Sequence, residues 1–146
     1  MTAMELALNE ARAAAERGDV PVGAVVLGPD GTILARAGNE TERRGDASAH
    51  AEMLALRRAA RLRREARLVA CDLVVTLEPC PMCAHAASLF RVRRVIFGAY
   101  DPKCGGVEHG ARIYNAASCH HWPEVIGGVR ETEAAALLQS FFQARR

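Results

Sequence analysis

The sequence predicts an α/β layered fold, with helices packed on a mostly parallel sheet. Apolar runs of strand length alternate with helical patterns of about ten residues or more, the order that builds strand-helix-strand units. The run DLVVTLE at 72–78 is apolar almost throughout, as a strand buried on both faces must be, and belongs at the sheet centre. Turn and stop signals at Gly18, at Pro29-Asp30-Gly31 and at Pro79 and Pro81 fall between these segments.

From Met4 to Arg17, Met4, Leu6, Ala7, Leu8, Ala11, Ala14 and Ala15 suit an amphipathic helix, and Gly18 supplies a left-handed stop. VPVGAVVLG (20–28) and TILARAG (32–38) form a hairpin whose turn uses Gly31 for its positive φ. Asn39 opens a polar loop, NETERRGDAS. Ser48 is the expected cap of a helix reaching about Arg63, with Met53, Leu54, Leu56, Ala59 and Ala60 inward. After the central strand, CPMCAHAASLF is helical, Pro81 being tolerated in the first turn. RVIFGA (94–99) is a second buried strand, followed by the glycine-rich loop DPKCGGVEHG. PEVIGGV then reads as a strand, and a helix from about Glu131 to Ala144 has Ala135, Leu138, Phe141 and Phe142 on its apolar face.

A chain of 146 residues, half of them hydrophobic, suits one domain spanning 1–146. The net charge of +2 is too small to announce a nucleic-acid partner by itself. No stretch reads as a signal peptide or a membrane span, so a soluble intracellular protein is expected. Five cysteines, an odd number without a spaced framework, point to metal or redox chemistry rather than to disulfide staples.

The chemistry concentrates at Cys80-Pro81-Met82-Cys83. Thiols at i and i+3 on a helix lie on one face, and the positive end of the helix favours the thiolates that bind metal. A redox pair has the same spacing. What turns the balance toward metal is His50, a third ligand at the start of another helix; three ligands leave one zinc position open, as in catalytic sites. Two helices each entering from a strand end would bring their N-termini to one edge of the sheet. Glu52, two residues on, does not share a helix face with His50 and is better placed as an acid beside the open position than as a fourth ligand. Taken alone, Glu52 would be a first-turn residue complementing the helix dipole. Cys119, His120 and His121 are too close in sequence to converge on a metal and read as a polar loop.

His50-Ala51-Glu52 and Pro79-Cys80-Pro81-Met82-Cys83 reproduce the H-x-E and P-C-x-x-C pattern of zinc nucleobase deaminases. With VPVGAVV, Gly38-Asn39, AHAEM, VTLEPCPMC, RRVIFGAYDPK and AALLQSFFQARR, the chain resembles the TadA-type, bacterial tRNA-specific adenosine deaminases of the cytidine and deoxycytidylate deaminase superfamily. That resemblance implies a three-layer α/β/α, cytidine-deaminase-like sandwich around a mixed five-stranded sheet. It also implies a cytoplasmic homodimer that hydrolyses adenosine to inosine at the wobble position of a tRNA anticodon. In that scheme His50, Cys80 and Cys83 hold one Zn2+ per subunit, a zinc-bound hydroxide attacks the base, and Glu52 shuttles protons. Only an unstacked base reaches such a site, and an anticodon loop can splay one out.

By the same resemblance Asn39 hydrogen-bonds the base, Val22 and Ala51 line its pocket, and Asp101 and Lys103 lie near the RNA backbone. Phe141, Phe142, Arg145 and Arg146 match the RNA-contacting C-terminal helix. From local sequence alone Asn39 is equally a turn residue, Asp101 and Lys103 are solvated charges, and one of the paired phenylalanines belongs to the core. The stretch Cys104–Trp122 departs from the family pattern, which leaves the substrate open. The same site would serve a deaminase of free guanine, cytosine or a nucleoside, and a non-enzymatic zinc module is a further alternative.

Overall fold

A computed structural model describes residues 1–145; Arg146 lies outside the described residues. The chain opens with α1 (Ala3–Glu16), whose Thr2 and Glu5 form a reciprocal capping box. Gly18 follows with a φ of 88°, as the left-handed stop requires. β1 (Gly23–Leu27) and β2 (Ile33–Gly38) form the expected hairpin, Gly31 taking a φ of 85°.

The polar loop contains an unexpected short helix, α2 (Thr41–Arg44). Its start is held by Asp19, a fully buried carboxylate that accepts from the Glu42 N–H at 2.7 Å. Then come α3 (Ala51–Arg63), β3 (Asp72–Leu77), α4 (Pro81–Leu89), β4 (Arg94–Ala99), a single 3₁₀ turn at Ile113–Asn115, β5 (Glu124–Ile126) and α5 (Glu131–Gln143). β5 is shorter than its apolar stretch suggests.

The sheet order is β2-β1-β3-β4-β5, which puts β3 at the centre. β1 runs antiparallel to both β2 and β3, whereas β3, β4 and β5 are parallel. The sheet is therefore mixed, as the family resemblance implies, with β1 alone running against the other four strands. A tight hairpin forces β1 against the direction of β2, and α3 then crosses over β1 to return the chain as β3, parallel to β2.

Helices cover both faces, and the strand alternation sorts side chains between two cores. Ala24, Val26, Leu73, Val75, Val95 and Phe97 point toward α3 and α4. Val25 and Val74 point the other way, to meet Met4, Ala7 and Leu8 of α1 and Ala134 of α5. Among the described residues no helix is long and apolar enough to cross a membrane.

Candidate active site

α3 and α4 both begin at the C-terminal ends of strands or the loops leaving them, on the same edge of the sheet. His50 is the N-cap residue of α3 and Cys80 the N-cap residue of α4. Neither makes a side-chain cap hydrogen bond, so ring and thiol remain free to meet each other. Ser48 does not cap α3: its N–H and Oγ both donate to Asp46 Oδ1, at 2.9 and 2.7 Å, in a turn that ends before the helix begins. Pro81 occupies the first turn of α4 without loss of a hydrogen bond, and Cys83 comes one turn after Cys80.

The His50 Nδ1 lies 3.6 Å from Cys80 Sγ and 3.5 Å from Cys83 Sγ, and the three ligand atoms lie within 4.8 Å of one another. Tetrahedral zinc with a Zn–S length of about 2.3 Å and a Zn–N length of about 2.0 Å places nitrogen and sulfur roughly 3.5 Å apart. The donor set fits that ion in both chemistry and spacing.

The neighbouring Cys83 thiol holds the Cys80 thiol down to about 4, against a smaller upward push from burial. The same contact, joined by burial and the Glu52 charge, pushes Cys83 far upward. His50 is raised chiefly by Cys80. A lowered Cys80 thiol favours the thiolate form that binds metal.

Glu52 is buried, 4% exposed, in the first turn of α3. Burial pushes its carboxyl up to about 7, with the backbone N–H at the helix start pulling the other way. It lines a cavity of about 290 Å³ together with His50, Cys80, Asn39, Val22 and Ala51. Asn39 serves the turn and the cavity at once. Its Oδ1 accepts from the Thr41 N–H at 3.1 Å, while its side-chain NH₂ has no protein partner among the described residues.

A second cavity of about 490 Å³ adjoins the first, sharing Val20, Leu77, Asp101 and Cys104 with it. Lys103 and the half-exposed Phe142 line only the second. Phe141 turns into the core beside it. Arg145 lines neither cavity: its guanidinium lies 3.4 Å from the Phe141 ring centre and donates to the Phe141 carbonyl.

A pattern for the cytidine and deoxycytidylate deaminase zinc-binding region matches residues 1–99. The chain belongs to that family. Zinc is the cofactor of this deaminase family, and His50, Cys80 and Cys83 are positioned to bind it. The tRNA-specific adenosine deaminase of Agrobacterium fabrum is 50% identical over 143 residues, 98% of this chain and 93% of that protein. The solved structure of a tRNA:A34 deaminase, studied for A-to-I editing at the wobble position of transfer RNA, superposes with a TM-score of 0.91 at 50% identity. It covers 93% of this chain and 98% of that one. The guanine deaminase of Bacillus subtilis shares the deaminase fold at a TM-score of 0.65 and 33% identity, over 67% of this chain and 62% of that one.

The sequence patterns passed over one residue of this deaminase site. Glu78, two positions before Cys80, has a fully buried side chain and lines the first cavity. Its backbone N–H donors and His109 hold its carboxyl below the usual range although burial works against them. The signal was present in TLEPC, where a carboxylate ends an otherwise apolar strand, but its partners are backbone groups some thirty residues away and leave no mark in the sequence.

Proposed function

We propose that the protein deaminates adenosine to inosine at the wobble position of a tRNA anticodon. The observation that carries this function is the cavity in which the His50, Cys80 and Cys83 cluster, Glu52 and the free NH₂ of Asn39 converge. His50, Cys80 and Cys83 hold one zinc ion per subunit in one deaminase domain spanning the chain. Bound there, zinc supplies a Lewis acid that makes water nucleophilic at neutral pH.

The remaining work falls to the chain's own residues. The Glu52 carboxylate takes a proton from the attacking water and returns it to the substrate nitrogen, so that ammonia can leave. The Asn39 NH₂ donates to an acceptor on the base, and Val22 and Ala51 press on its faces. Asp101, Lys103 and Phe142 lie along the adjoining cavity, which suits the nucleotides that accompany a splayed base; Arg145 braces the same end of α5 and faces RNA beyond it.

A free base needs only the first cavity, whereas a nucleic acid needs the second as well, and the full-length likeness to a tRNA-specific deaminase favours the same choice. The likeness to a guanine deaminase supports the rival substrate, a free base. An assay offering an anticodon stem-loop beside free guanine, cytosine and cytidine, with the product base identified, separates the two. Inosine in the stem-loop is expected, and turnover confined to free bases overturns the proposal.

The protein acts as a homodimer in the cytoplasm, where its tRNA substrate is found. Met82, beside Cys83 in the first turn of α4, and Leu89 at the other end of that helix are exposed apolar residues and suit a second copy. Sedimentation is expected to give twice the chain mass.

A further inference from the structure

The glycine-rich loop from Asp101 to His109 forms a wall of both cavities, yet it contains no helix or strand. Its conformation is held from beneath. Glu78 Oε2 accepts from the backbone N–H groups of Val107, Glu108 and His109 at 3.2, 2.9 and 3.1 Å. Glu78 Oε1 accepts from the Asp101 N–H at 3.0 Å and lies 2.8 Å from the His109 Nδ1. Five contacts thus converge on one carboxylate that water does not reach, the arrangement in which such bonds are strongest and their loss most costly.

The fit around that carboxylate is tight. A Cβ on Gly105 would lie 2.4 Å from Glu78 Oε2, and one on Gly106 would lie 2.5 Å from the Pro81 nitrogen, in the turn that carries Cys80. The Gly106 N–H also donates to the Pro79 carbonyl at 2.8 Å. The ring of His109, seated on Glu78, meets Tyr100 edge-on with ring centres 6.0 Å apart, and Tyr100 lines the second cavity.

We infer that Glu78 is a positioning residue for the substrate: its carboxylate sets the loop 101–109, and through it Asp101 and Lys103, at the distance from the metal-bearing turn that RNA binding requires. Glu78 touches no reacting atom in this role. The inference deepens the proposed deamination of a tRNA anticodon and rests on it for the identity of the substrate.

Glu78→Gln tests it, because a side-chain amide keeps the shape but has one acceptor oxygen, so one of the two groups of N–H donors must face an NH₂. Expected results are a rise of about tenfold or more in KM for the anticodon stem-loop, with kcat within about threefold and zinc content unchanged. Hydrogen exchange at the Val107, Glu108 and His109 amides should accelerate in the same variant. Gly105→Ala, which crowds the loop off the carboxylate while leaving Glu78 in place, should raise KM similarly, and the double variant should add little to either. Gly105→Ala alone carries the test if Glu78→Gln does not fold.

A parental KM in these variants overturns the inference. So does a fall in kcat with loss of zinc at unchanged KM, since Glu78 would then serve the metal turn. If the parent protein does not turn over the stem-loop, the proposed function fails by itself. The exchange measurement then decides whether Glu78 sets the loop: faster loop exchange in Glu78→Gln supports it, and parental protection overturns it.

Discussion

Glu52 is buried among sulfur ligands and apolar walls, where a carboxylate is retained only if it has something to do. The proposed proton transfer gives it that role, and Glu52→Ala separates it from a purely structural one. The variant is expected to keep its zinc and its melting temperature to within a few degrees, while turnover of the stem-loop falls by about a thousandfold or more. Metal analysis beside single-turnover kinetics checks both halves. Glu40 shows the other use of a buried carboxylate. Burial opposes its charge, but Arg44 at 3.3 Å and Arg58 at 3.0 Å hold it below its ordinary value of 4.5. A lowered carboxyl contributes stability that is present above about pH 4.5 and is lost as pH falls through the folded value. The arginines are partly exposed, so screening limits the effect, and Glu40→Gln should cost on the order of 1 kcal/mol at pH 7. The gap between parent and variant in urea unfolding should close as the pH falls through that lowered folded value. The convergence of His50 with Cys80 and Cys83 was legible in sequence because metal chemistry imposes short spacings. Glu40, Asp19 and Glu78 were not, since their partners are guanidinium or backbone groups that any fold could supply.

Helix N-termini do most of the arranging among the elements. Placing His50 and Cys80 at N-cap positions, in extended conformation, points each side chain off the end of its helix. The sequence marked the start of α3 two residues early because Ser48 is a good cap by type. Asp46 competes for both of its hydrogen-bonding groups, and the metal chemistry needs the cap position for a histidine. Packing of α1 on the sheet gives the sharpest test at this scale. Gly23 opens β1 directly under α1, and a Cβ there would lie 1.9 Å from the Ala7 carbonyl oxygen and 2.7 Å from the Ala11 nitrogen. Both are backbone atoms in a helix and cannot swing aside. Gly23→Ala should therefore cost about 3 kcal/mol, the upper end for overpacking, measured by urea unfolding. Gly31→Ala, with open space around it and only its positive φ to strain, should cost about 1 kcal/mol.

Across the whole molecule, the central strands divide their side chains between two cores, so that both faces of the sheet are covered and the C-terminal edge is left for function. The layered class was legible because it follows from the order of apolar runs. Strand direction was less so, because a hairpin and a crossover both satisfy the same alternation, and only the placement of β1 between β2 and β3 decides it. That placement makes metal binding a property of the fold as well as of the site. His50 leaves the crossover from β2, and Cys80 and Cys83 follow β3, so an ion shared by them ties α3 to α4 across thirty residues of chain. An ion bound by the folded state and not the unfolded one stabilises by mass action, about 4 kcal/mol when present at a thousand times its dissociation constant. Stripping with a chelator should thus lower the melting temperature by on the order of 10 °C, and one equivalent of zinc should restore it. Cys83→Ala, which lacks a ligand, should melt near the stripped protein and recover little with zinc, whereas Glu52→Ala should recover in full. An unchanged melting temperature after complete removal of zinc would mean that these three residues do not hold the ion in the folded protein.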